Sequence, residues 1–145
     1  MTPSLRSSLV CIALLIVATW LVPWGGFTWA TWFLNDRIYS APFDWLSWPG
    51  IISWSYYAIA FLALGAVLQM LAPSPRSTLL ALALGSIYSV LWFARSSYHF
   101  YDAAPLFNYF WVFGELLVPP LASYVGAVLV AKLLPHQAVS QAHGA

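Results

Sequence analysis

Apolar residues fill four long runs along this chain, and polar residues collect between them. The runs cover about 9–34, 51–71, 79–95 and 106–134. Each reaches the ~17–25 residues an α-helix needs to cross a bilayer. The pattern therefore predicts an all-α integral membrane protein with four transmembrane helices in a single membrane domain. Pro23-Trp24-Gly25-Gly26 interrupts the first run. The helix is expected either to kink at Pro23 or to break near Gly25 and continue along the interface. Asn35 to Pro49 forms the first loop, with Asp36, Arg37 and Asp44 set among Trp and Phe residues, a mixture suited to the headgroup region. Pro73-Ser74-Pro75-Arg76 reads as a tight turn, Ser96 to Pro105 as the second loop, and Pro135 as the end of the last crossing. A polar tail, 136–145, follows.

Composition narrows the class. The 145 residues are 62% apolar and 6% charged, with a mean hydropathy of +0.80. Soluble domains carry roughly 25% charged residues, so this chain lacks the polar surface to face water. A net charge of +1 from scattered basic residues leaves no footprint for nucleic acid. Cys11 is the only cysteine, which excludes an internal disulfide, a CxxC redox pair and a thiolate metal cage. Arg6 to Val22 has the basic start and apolar stretch of a signal peptide, yet no small-residue cleavage site follows it. It is expected to remain as the first helix.

Charge placement sets the expected orientation. Arg6, Arg76 and Lys132 lie on one side, while Arg37 and Arg95 lie on the other with Asp36, Asp44 and Asp102. The positive-inside rule then places both termini in the cytoplasm of a multi-pass inner-membrane protein. Of the 26 aromatic residues, 24 fall between Trp20 and Tyr57 or between Tyr88 and Phe113, with Phe61 and Tyr124 outside. Alternating crossings bring both windows to one membrane face, here the periplasmic one. Membrane proteins ordinarily carry Trp and Tyr at both interfaces, so a one-sided layer points to packing or binding in one half of the bilayer.

The two halves also resemble each other. Trp32-Phe33 recurs as Trp92-Phe93, Ala41-Pro42 as Ala104-Pro105, Phe43-Asp44-Trp45 as Phe107-Asn108-Tyr109, and Gly65-Ala66-Val67-Leu68 unchanged as Gly126-Ala127-Val128-Leu129, at offsets of 60–64 residues. A duplicated helical hairpin, two crossings plus two, would produce this series. Chance matches within a small apolar alphabet are the competing explanation.

Glu115 is the sharpest chemical feature. It lies ~13 Å into the last crossing at 1.5 Å per residue, close to the middle of a ~30 Å hydrocarbon core. A carboxylate there is costly unless it is protonated, paired or wet. Pro119 and Pro120 cannot donate to the carbonyls of Glu115 and Leu116, so one carboxyl group and two carbonyl oxygens come together. Asn108, Val112, Glu115, Pro119, Ala122 and Gly126 form one small or polar stripe, expected to face protein rather than lipid. Tyr88, Ser89 or Arg95 on the third crossing are the expected partners of Glu115. The alternatives to such pairing are a proton or ion role and contact with a ligand or subunit.

Tyr98, His99, Tyr101 and Asp102 are loop candidates for a metal or proton site. One His and one Asp make it incomplete, and His136 and His143 are expected on the opposite face, so a plain surface loop is the stronger expectation. No crossing contains a histidine, which argues against haem. Ala81, Gly85 and Ser89, and Ser123, Ala127 and Ala131, are spaced to let helices approach closely within this bundle.

No catalytic motif stands out. The leading expectation is a non-catalytic accessory or structural subunit that packs against other membrane protein subunits through its aromatic half. That half suits a bound lipid, quinone or pigment, since aromatic rings bury large areas with few rotamers to freeze. The alternatives are a small proton-coupled transporter or channel using Glu115, and a lipid- or quinone-binding membrane enzyme using His99 and Asp102.

Overall fold

A computed structural model of the protein describes residues 3–34, 48–96 and 105–133, and within them the side chains of 4–25, 54–95, 114 and 116–133. The described chain is helical: α1 (Pro3–Leu34), α2 (Trp48–Leu71), α3 (Pro75–Ser96) and α4 (Pro105–Leu133). Each has a stretch long and apolar enough to span a membrane. Helices are the form such runs must take where water is excluded, because each backbone donor and acceptor then finds its partner inside the segment.

The first helix does not show the expected break near Gly25. Its 32 residues run continuously through Pro23, about 48 Å of helix, well beyond a ~30 Å hydrocarbon core. The Pro23 ring removes one N–H, leaving the carbonyl of Thr19 without its helical donor, and the surrounding turns hold the rod together. α4 likewise continues through Pro119 and Pro120.

The α2–α3 turn is shaped by serine and proline. Ser74 caps α3 by accepting from the Ser77 backbone N–H at 3.2 Å, and Pro75 takes the first helical position, where a missing N–H costs nothing. The Ser77 hydroxyl donates to the Ala72 carbonyl and lies 2.8 Å from the Ser74 hydroxyl. Ser7 of α1 joins them at 3.3 Å from both. Ser7 and Ser77 are buried, so this joint pins the start of α1 to the start of α3. Further along, the Cys11 thiol meets the Leu80 carbonyl at 3.5 Å. α1 and α3 therefore run parallel, and their ends, Leu34 and Ser96, lie at the same end of the bundle.

Small residues close the other seams. Gly65 of α2 lies so near the Ser123 carbonyl of α4 that an added Cβ would overlap it, and Gly126 of α4 meets the Leu62 carbonyl of α2 in the same way. The two contacts exchange when Leu62 is swapped for Ser123 and Gly65 for Gly126, an offset of 61 residues in both cases. The repeated Gly-Ala-Val-Leu segments thus face each other across a locally two-fold joint. Gly85 of α3 rests on the backbone of Pro119 and Pro120, and the Ser123 hydroxyl donates to the Ala81 carbonyl at 2.6 Å. Of the six small residues at four-residue spacing, Ala81, Gly85, Ser89, Ser123 and Ala127 are buried inside the bundle and Ala131 is exposed. α2 and α4 form the most extensive helix pair, followed by α3 and α4. α1 packs on α2 and α3, on the side away from α4.

Candidate functional site

Among the described residues, rings of α2 and α3 from the two aromatic windows meet in one cluster. Tyr56 and Tyr57 of α2 meet edge to face at 5.8 Å. Tyr57 contacts Tyr88 of α3 at 6.4 Å, and Tyr88 stacks with Trp92 one turn on, at 6.4 Å and 4° between planes. Phe61, outside both sequence windows, packs 4.7 Å from Tyr88 and belongs to the same cluster. Gly25 makes room on α1 for the Tyr56 hydroxyl, which occupies the space a Cβ would need. That close approach explains why a glycine interrupts the apolar run there.

Beside the cluster, two adjoining pockets open between α1 and α3. One, of about 120 Å³, is lined by Thr19, Tyr88, Leu91, Trp92 and Arg95. The other, of about 520 Å³, is lined by Thr19, Trp20, Pro23, Trp24 and Arg95. Thr19 and Arg95 border both, so the pockets form one groove with an α1 wall and an α3 wall. Its rim is aromatic: Trp20 is 78% exposed and Trp24 76%. Its described lining includes the exposed Arg95 and Thr19, whose carbonyl Pro23 leaves without a helical donor. The Thr19 hydroxyl is already engaged with the Ile16 carbonyl at 2.8 Å. Arg95 makes no ion pair or hydrogen bond among the described residues. The buried indole nitrogen of Trp92 also lacks a hydrogen-bond partner there.

The predicted residues separate into three groups. Tyr88 is buried in the ring cluster and Arg95 lines the groove facing α1, so these two share one site. Glu115 and Asn108 lie on α4, but their side chains fall outside the described ones. Position 115 sits one turn before Pro119 on the stripe that continues through Ala122 and Gly126. Pro119 and Gly126 are buried and Ala122 half-buried, so the described part of the stripe, 119–126, turns into the bundle. The register set by Gly85 on Pro119–Pro120 and by Ala81 with Ser123 brings Ser89 level with position 115, and Arg95 level with Tyr109. Tyr98, His99, Tyr101 and Asp102 lie outside the described residues. Among the described residues no three His, Cys, Asp or Glu side chains group to hold a metal.

Sequence reasoning did not single out Thr19, Trp20, Trp24 or Trp92 as a site. Trp20 and Trp24 are one turn apart, with Pro23 between them, which places the rings beside a freed carbonyl. That signal was readable. Their pairing with Arg95 depends on α1 lying along α3, which local pattern does not specify. Gln69 was also missed: it is buried in α2, and its side-chain oxygen has no hydrogen-bond partner among the described residues.

No protein-family model, no curated protein and no solved structure matches this chain.

Proposed function

We propose that this protein is a multi-pass inner-membrane protein, with both termini in the cytoplasm, that serves as a non-catalytic accessory or structural subunit of a larger membrane complex. The orientation rests on Arg6, Arg76 and Lys132 at one end and the acid-rich connections at the other. The observation that carries the functional reading is the solid middle of the bundle. Gly65, Gly85 and Gly126 bring helix backbones into direct contact, and Ser123 spends its hydroxyl on joining α3 to α4. Small residues packed this closely hold helices together and leave no passage between α2, α3 and α4 at that level.

The outside of the bundle complements this reading. Large apolar side chains stand exposed on all four helices, among them Ile16, Ile59, Ile87 and Leu121. Such a surface is suited to lipid and to neighbouring helices alike. With reactive groups sparse and the core committed to its own packing, the outer surface remains for the protein to work through. Mild solubilisation of native membranes should yield this 16.1 kDa chain together with other membrane subunits in native mass spectrometry. Recovery as a lone chain, with no co-purifying protein, would contradict the assignment.

A further inference from the structure

We propose that the groove between α1 and α3 is a binding site for one anionic glycerophospholipid, with Arg95 holding its phosphate. The proposal does not depend on the subunit assignment, since an isolated bundle would present the same groove.

Three observations support it. The first is charge: Arg95 is an exposed cation at the end of an apolar helix, and a guanidinium matches the geometry of a phosphate group by paired N–H donors. The second is shape. An arginine that merely snorkels to the interface meets bulk headgroups on an open surface. Here the guanidinium borders a concave space between two helices, walled by Trp20, Trp24 and Trp92. Indole rings favour this boundary because they are apolar over most of their surface and polar at one edge. The third is the acceptor. Thr19 lines the same groove, and Pro23 deprives its carbonyl of the helical donor, which a headgroup hydroxyl would replace.

The apolar surface continues in the right direction for acyl chains. On α1, Ile16 and Ile12 follow the Thr19–Pro23 face toward the far side of the bundle, and on α3 Leu91 and Ile87 follow Arg95. All four are exposed. A lipid seated with its phosphate at Arg95 would lay its chains along these residues, so one molecule satisfies both the polar rim and the apolar walls.

The test uses the full chain in nanodiscs of phosphatidylcholine containing a minor fraction of phosphatidylglycerol, with retained lipid counted by native mass spectrometry after release. One phosphatidylglycerol should be retained in preference to phosphatidylcholine. Arg95→Gln should lower that retention about tenfold, the scale of a lost charge-assisted contact, with Arg95→Lys falling between. Arg76→Gln, at the opposite end of α3, should leave retention unchanged. Arg95 is exposed, so Arg95→Gln should fold, and an unchanged thermal midpoint would verify it. Phosphatidylglycerol with brominated acyl chains gives a second reading: it should quench wild-type tryptophan fluorescence more than that of Trp20→Phe/Trp24→Phe. Equal retention of the two lipids, equal retention by Arg95→Gln and wild type, or a neutral isoprenoid or peptide found in the groove instead, would overturn the proposal.

Discussion

Gly65 and Gly126 show how much of this fold depends on the absence of single side chains. An added methyl at either position would collide with a backbone carbonyl of the facing helix, and backbone cannot swing aside as a side chain can. Overpacking of this kind typically costs ~1–3 kcal/mol. Gly65→Ala should fall toward the upper end of that range, measured by denaturant or steric-trap unfolding in micelles. Because both glycines serve one joint, the double substitution should cost less than the two single losses combined. A Gly65→Ala protein as stable as wild type would show that α2 and α4 do not meet there. The repeated Gly-Ala-Val-Leu segment was legible in the sequence as a sign of duplication, while close helix approach was read from other small residues, Ala81, Gly85, Ser89, Ser123, Ala127 and Ala131. What each glycine touches was not, because a repeat gives no register between two helices. Glu115 illustrates the opposite case: its depth along α4 could be read from spacing alone, whereas its partner depends on tertiary arrangement.

Among the elements, α3 depends most visibly on its first turn. Ser74 caps it, Pro75 pre-sets its direction, and Ser77 ties it both to the end of α2 and to Ser7 of α1. Loss of a serine cap generally costs ~1 kcal/mol. Ser74→Ala should therefore lower stability by at least that amount, because the contact with Ser7 disappears too. Hydrogen exchange should report faster opening at the starts of both α1 and α3; a change confined to α3 would separate the cap from the α1 contact. The proline–serine turn was apparent from sequence, since these residues punctuate helices by known mechanisms. The course of α1 was apparent only as two alternatives, of which the unbroken one holds. Pro23 and the two following glycines argue locally for a kink or a break, yet only one backbone hydrogen bond is lost. Gly25 serves to admit Tyr56 against the helix.

For the molecule as a whole, the decisive feature is the parallel course of α1 and α3, which gathers the rings of α1, α2 and α3 at one end and creates the groove bordered by Arg95. The sequence windows supplied rings to this end, as Trp20, Trp24, Tyr57, Tyr88 and Trp92 show among the described residues. The groove itself emerges only when two helices distant in sequence lie side by side. The most direct measurement is cysteine accessibility in intact cells, using a Cys11→Ala background and a membrane-impermeant maleimide. Single cysteines at Arg37, Asp102 and Arg76 report the three connections. Labelling at 37 and 102 from outside, with 76 protected until the membrane is opened, is the predicted result. Positions 37 and 102 labelling from opposite sides would contradict the parallel course of α1 and α3, and the shared aromatic end with it.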